Sequence, residues 1–411
     1  MLIRCLWLLV VAVCACGAAS ASDVPNSCVD CHSALDAPLK VTPEQFAQDI
    51  HSQKGLTCAS CHGGDPGLMD DDAMGPKKGF HKIKRADIPA LCGKCHSDGA
   101  YMRQYNPKLR TDQFSQYQTS VHGKLLAKGD TKVAVCIDCH SVHDLRPASD
   151  TRSTVHPLNI PQTCGRCHAD AAYMKDHKIP TDQLGNYKQS VHYEALTVRG
   201  DLSAPNCTTC HGNHGAAPPG VETVQNVCAT CHVFQSQLFD ASPHKEGFKK
   251  AGLPGCIQCH SNHKIVHTND EMIGAGKRAF CTDCHMEGEP AYKTAGEIHD
   301  RLAKLDATLK DAGTLIATAE SSGMEVSEAL SDEEQARDAL TRARVSIHSL
   351  SVAHVNQEVD AGLKIADKVR KAGESALAER DYRRKGLALS LIAILIMMTG
   401  LAMYIRQIER K

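Results

Sequence analysis

Eighteen of the 21 cysteines in this 411-residue chain fall into nine copies of one pattern, Cys-x-x-Cys-His. The copies open at Cys28, Cys58, Cys92, Cys136, Cys164, Cys207, Cys228, Cys256 and Cys281, and their second cysteines are Cys31, Cys61, Cys95, Cys139, Cys167, Cys210, Cys231, Cys259 and Cys284. Each closes on a histidine: His32, His62, His96, His140, His168, His211, His232, His260 or His285. Two thiols at this spacing can add to the vinyl groups of one porphyrin while the adjoining imidazole ligates its iron, so the pattern is an attachment signature for haem c. Disulfides, zinc sites and dithiol redox pairs also use cysteine, but none of them requires histidine after every second cysteine, nine times over. The expectation is nine covalent haems, with nine proximal histidines.

That expectation limits the fold. All nine motifs lie within residues 28–285, which leaves fewer than 30 residues for each, and only 4% of the chain is aromatic. So little polypeptide cannot enclose each porphyrin in a core of its own. The haems must supply much of the apolar interior, with short helices and long loops wrapped around them. The fold class expected is mainly α with extensive loop. A net charge of -1 and the absence of a basic patch argue against nucleic acid as a partner.

The motifs recur inside a larger repeat. Ser120-Val121-His122 precedes Gly129-Asp130, the motif at Cys136 and then His143; Ser190-Val191-His192 precedes Gly200-Asp201, the motif at Cys207 and then His214. The preceding motifs, at Cys92 and Cys164, are trailed by Ala100-Tyr101-Met102 and Ala172-Tyr173-Met174. A degenerate earlier copy contains Cys28, His51 and Cys58, and a later one Cys228, His244, Cys256 and His263. Four two-haem modules and a final motif at Cys281 account for the nine.

A second axial imidazole would make each iron six-coordinate and suited to electron transfer. Of 23 histidines, 14 remain after the proximal nine. Seven of these sit at repeat positions and are the expected distal ligands: His51, His122, His143, His192, His214, His244 and His263. A histidine only three residues past a proximal ligand, such as His143, is expected to ligate a neighbouring haem. The other two ligands must come from His81, His156, His177, His267, His299, His348 and His354, with His81, His299 and His348 carried forward as candidates. Asp65 occupies the place of the first module's extra histidine, which recommends His81 as its substitute. Met102 and Met174 are open to either reading, as ligands or as packing on haem edges. The charged insertion of residues 70–85 reads as a solvated linker.

Outside the motifs the chain divides plainly. Residues 1–21 read as a secretory signal, with Arg4, an apolar run and Ala19-Ser20-Ala21. Residues 22–290 form the haem region and 291–385 a helical hairpin, in which Ile298, Leu302, Leu305 and Leu309 recur at helical spacing and Ser331 with Glu334 open the second arm, which is expected to run on through Leu340, Ile347 and Leu350 to about Val369. Residues 386–405 are uncharged and long enough to cross a bilayer once, leaving 406–411 as a cytoplasmic tail. Haem c is attached outside the cytoplasmic membrane, so the expected location is that membrane, single-pass, with the haem region in the periplasm.

The Ser120-Val121-His122-Gly123 element and the Cys136–His143 element resemble those of exported multihaem c-type cytochromes. The helical region after the haems is also similar to that of the hydroxylamine oxidoreductase and multihaem nitrite reductase superfamily. The resemblance implies an electron carrier in a respiratory chain, placed between a quinol-oxidising membrane subunit and soluble or outer-membrane redox proteins. The alternative it implies is an oxidoreductase acting on a small nitrogen or sulfur compound at one open haem. No catalytic residue is identified, and the Cys-x-x-Cys-Lys motif of the pentahaem nitrite reductases is missing.

Overall fold

The computed structural model describes residues 26–216, 221 and 224–410, so the expected signal segment lies outside the described residues. Every regular element among them is helical. The chain divides into two compact units, one of residues up to 188 with 192–220, the other of 189–191 with residues from 221 onward. The first contains six Cys-x-x-Cys-His motifs and the second contains three.

In the first unit the helices are four to nine residues long. Such helices are marginal in water on their own, and each depends on caps and tertiary contacts. The motifs at Cys92 and Cys164 end nine-residue helices, Ile88–His96 and Ile160–His168, each with proline in its first turn, where no amide partner is lost. The motifs at Cys58, Cys136 and Cys207 are instead five-residue helices that stop at once on a residue of positive φ: Gly63, Ser141 and Gly212. The insertion expected to be a solvated linker is in part docked. Arg85 donates to the carbonyls of Thr131 and Val133 and pairs with Asp138 through both its terminal nitrogens.

The second unit carries three long helices: α1 (Pro290–Ser321), α2 (Ser327–Ser346) and α3 (Val352–Glu409). The expected hairpin is therefore a three-helix bundle. The second arm does not run on to residue 369, because a turn at Ile347–Ser349 and Leu350, at φ 54, break it and Ser351 caps a new helix. That arm also opens earlier than Ser331 and Glu334 suggest, at Ser327, whose amide donates to Glu325 Oε1.

Ion pairs and packing fix the directions of the three helices. Arg301 on α1 reaches Asn356 and Asp360 on α3, Gly362 packs against Leu305, and Arg380 reaches Ser322, so α1 and α3 run in parallel. Arg342 pairs with Glu358, and Lys368 with Glu328 and Asp332, so α2 is antiparallel to α3. The core is made of Ile298, Leu302, Leu305, Leu309, Leu340, Val355 and Val359 near one end and Ala312, Ile316, Ala319, Val326 and Val369 near the other. A side chain at Gly362 would strike Leu305, which is why the two helices can approach so closely there. Beyond the bundle α3 continues without proline, its apolar residues from Leu387 to Ile408 exposed; it is the helix among the described residues long and apolar enough to cross a membrane once.

Candidate haem-binding sites

The histidines ahead of the even-numbered motifs share one local design. Ser120 has extended backbone, accepts a hydrogen bond from Gly123 N–H at 3.0 Å and donates to the Tyr117 carbonyl at 2.6 Å, so it both ends one helix and caps the next, Val121–Ala127. His122 is thereby placed in the first turn. A Cβ at Gly123 would lie 2.1 Å from the Tyr117 carbonyl oxygen, so only glycine lets the two helices meet this closely. Asp49 plays the capping part for His51, and Ser242 occupies the same place two residues before His244. These caps and Ser190 are all buried.

Six motif histidines each face a second imidazole. His51 and His96 lie with ring centroids 6.0 Å apart, His62 and His143 6.3 Å, His122 and His168 6.0 Å, and His140 and His214 6.0 Å, all in the first unit. In the second unit His244 faces His285 at 6.0 Å and His260 faces His348 at 6.1 Å. A metal–imidazole bond of about 2 Å on each side, added to the ring radii, separates two axial imidazoles by roughly 6 Å between centroids. The spacing therefore fits one iron between each pair.

The pairs follow a rule. His51, His122 and His244, each ahead of an even-numbered motif, face the next odd-numbered one, and His143 and His214, each three residues past an even-numbered motif, face the previous even-numbered one. The last even-numbered motif has no module after it, and there His348 is presented from the turn between α2 and α3.

Proton placement agrees with metal binding. A carbonyl oxygen can only accept, so the bonds from His32 Nδ1 to Leu39 and from His348 Nδ1 to Val345, at 2.8 and 2.9 Å, put the proton on Nδ1 and leave the Nε2 lone pair available. His51 Nδ1 is likewise held by the Asp49 carboxylate at 3.2 Å, a contact that raises its pKa. Burial pushes His140 down to about 4 and lowers His122 and His214 as well, favouring the neutral ring that binds iron.

The cysteines show how the motifs neighbour one another. Within each two-motif module the first cysteines interact through their side chains: Cys28 with Cys58, Cys92 with Cys136, Cys164 with Cys207 and Cys228 with Cys256. Between modules the second cysteine makes the approach, Cys61 to Cys92 and Cys95, Cys139 to Cys167, and Cys259 to Cys281 and Cys284. Successive motifs therefore lie close to one another within each unit. A cleft along the motif at Cys256 is lined by Cys259, His260, Val266, Met272 and Phe280 together with the polar Gln258, Ser261 and Lys264.

Protein-family models match three stretches in succession: cytochrome c3 over residues 50–169, cytochrome c7 and related cytochrome c over 149–233, and a doubled CXXCH motif over 248–290. The chain is a multihaem c-type cytochrome. This cytochrome is similar to the C-type polyheme cytochrome OmcC of Geobacter sulfurreducens, with 24% identity over 291 residues, 69% of this chain and 32% of that protein. It is also similar to the cytochrome c-type protein NrfB of Escherichia coli, with 21% identity over 155 residues, 38% of this chain and 65% of that protein. It thus spans about a third of one relative and just under two thirds of the other. No solved structure matches it. The similarity supports covalent haem c and electron transfer.

The remaining histidines behave differently. His156 is buried, and its Nδ1 accepts the Leu158 amide at 3.3 Å, so a neutral ring carries its proton on Nε2 and has no lone pair for iron. His177 lies 3.8 Å from Asp130, and His299 bonds the neighbouring Asp300 rather than facing a motif histidine. His81 is exposed in the insertion, its amide bonded to the His62 carbonyl. Met102 and Met174 are buried in the first unit.

Proposed function

We propose that this cytochrome is a membrane-anchored electron carrier with nine covalent haems, one at each Cys-x-x-Cys-His motif, working on the periplasmic face of the cytoplasmic membrane. The observation that carries the reading is the set of six imidazole pairs at 6.0–6.3 Å, each uniting a motif histidine with a second histidine. Bis-histidine iron is six-coordinate and low-spin, and changes oxidation state with little rearrangement. We assign His51, His143, His122, His214, His244 and His348 as distal ligands for the irons at His96, His62, His168, His140, His285 and His260. His192 and His263 join them by their place in the repeat. Within each unit the successive approach of motif cysteines supplies neighbouring redox centres. The partners would be a quinol-oxidising membrane subunit on one side and soluble or outer-membrane redox proteins on the other.

The protein's own part in this chemistry is to fix the imidazoles, exclude water from the porphyrin faces and set the spacing between centres. The deciding experiment is low-temperature EPR with intact mass on the mature protein. Nine haems and a low-spin spectrum are expected. Fewer haems would remove a motif from the assignment, and a predominantly high-spin spectrum would overturn it.

One observation favours a second reading at a single motif. Among the described residues no imidazole faces His32 at the spacing of the six pairs, although its Nδ1 is held by Leu39 as a ligand's would be. An open position there would let a small nitrogen or sulfur compound reach iron. Carbon monoxide binding to one haem of the reduced protein, with turnover of nitrite, hydroxylamine or sulfite, would establish that reading; neither effect would leave electron transfer alone.

A further inference from the structure

The axial position facing His260 and the membrane-spanning segment belong to one piece of continuous structure. His348 lies in the turn that ends at Ser351, and α3 begins at Val352 and runs as a single helix to Glu409. Along it, residues 352–380 pack in the bundle and residues 386–405 form the apolar span. From Ser351 to Gly386 at 1.5 Å per residue is about 50 Å. The helix has no proline in this stretch, and sharp kinks need such a cause. An average transmembrane tilt of roughly 20° lowers the height by less than about a tenth.

The other motifs of this unit lie at the same end. His285 is followed after four residues by Pro290, the first residue of α1, and α1 points its C-terminus toward the membrane, parallel to α3. Near that lower end, where Arg380 meets Ser322, the side chains are Ala319, Met324, Ala372, Ala376 and Leu377, a packed apolar core with neither cysteine nor histidine. The bundle is thus a stalk that contains no redox group of its own.

We infer that the haems of this unit exchange electrons with a partner's redox centre carried on a protein domain standing about 50 Å clear of the bilayer, and not with a quinol dissolved in the lipid. The inference rests on the electron-transfer reading above. Electron tunnelling cannot cross a stalk of this length in one step, so a membrane donor must reach the haems of this unit through a redox centre held outside the bilayer. Single-pass anchoring here sets a height and an orientation for docking.

The test uses the full-length haem-loaded protein in liposomes. One arm attaches a fluorophore at Tyr382→Cys, an exposed position at the membrane end of the stalk, or at Asp300→Cys, an exposed position at the haem end. Energy transfer to haem should shorten the emission lifetime several-fold at residue 300 and leave it nearly unchanged at residue 382. Equal shortening at both would overturn the proposed height. The other arm supplies a membrane-confined quinol alone, then a soluble low-potential dye. Reduction by the dye and not by the quinol is expected, and haem reduction by the quinol alone overturns the inference. Failure of the dye as well would strike the electron-transfer reading instead, while the lifetimes would still decide the height.

Discussion

In the bundle Leu302, Leu305, Ile316, Val355, Val359 and Val369 have no exposed surface, whereas among the described residues of the first unit only Leu196 and Val135 of the large apolar side chains are buried as completely. The cluster around Leu196 consists of that residue with Ala195 and Ala204. One region closes a core with its own side chains. The other has helices of four to nine residues that converge on cysteines and paired imidazoles, with very little aliphatic material between them. The difference teaches where the apolar interior of each comes from: leucine and valine in the bundle, porphyrin in the first unit.

The sharpest way to break this contrast is to withhold haem. Expressed without covalent attachment, the first unit should lose its structure entirely, with amide exchange at unfolded-chain rates, while residues 295–380 stay protected. Protection of both regions would show that the short helices stand unaided. Next in size is Leu305→Ala, which removes a fully buried side chain seated against Gly362 and should cost about 2–5 kcal/mol of bundle stability. Denaturation followed by helix signal should shift, while the spectrum of the haems in the first unit should not.

A smaller and more local change tests the point where the two kinds of construction meet. His348→Ala should convert one iron to high-spin, with its haem still covalently attached, and leave the bundle's helical content unaltered. Quantitative EPR reads the fraction, and an unchanged low-spin spectrum would remove His348 from the ligand set. The smallest effect expected is at Arg344, which pairs with Asp270 at 2.8 Å and Asp306 at 3.5 Å but is 44% exposed. Solvent screening limits Arg344→Ala to about 1 kcal/mol or less, measurable as a slight shift in the bundle's denaturation midpoint.

The motifs, and the positions of His51, His122, His143, His214 and His244 that face motif histidines, were legible because the repeat and its helix caps are local: Ser120 and His122 are two residues apart, and so are Asp49 and His51. The partner that each imidazole faces was not, since His143 and His62 meet only through tertiary structure. His348 shows the physical reason most clearly. Apolar spacing continues from Leu340 through Ile347 and Leu350, so periodicity predicts an unbroken helix and puts His348 inside it. The break depends on Leu350 adopting φ 54 and on Ser351 accepting the His354 amide, a serine signal easily overlooked within an apolar rhythm. The third helix of the bundle went unseen for the same reason. Asp138 posed a similar difficulty, because nothing in a charged insertion says that Arg85 will cross to it.

The interleaving of the histidine pairs has a consequence in time. A chain emerges N-terminus first. On the proposed assignment, the irons at His96, His168 and His285 each follow their distal histidine, so both ligands are present once the motif itself has been made. The irons at His62, His140 and His260 must instead wait for residues 143, 214 and 348. The longest wait falls to His260, whose partner is reached only after α1 and α2 have been synthesised. Until then that iron has a vacant face, and the arrival of the turn that follows α2 is the event that closes it.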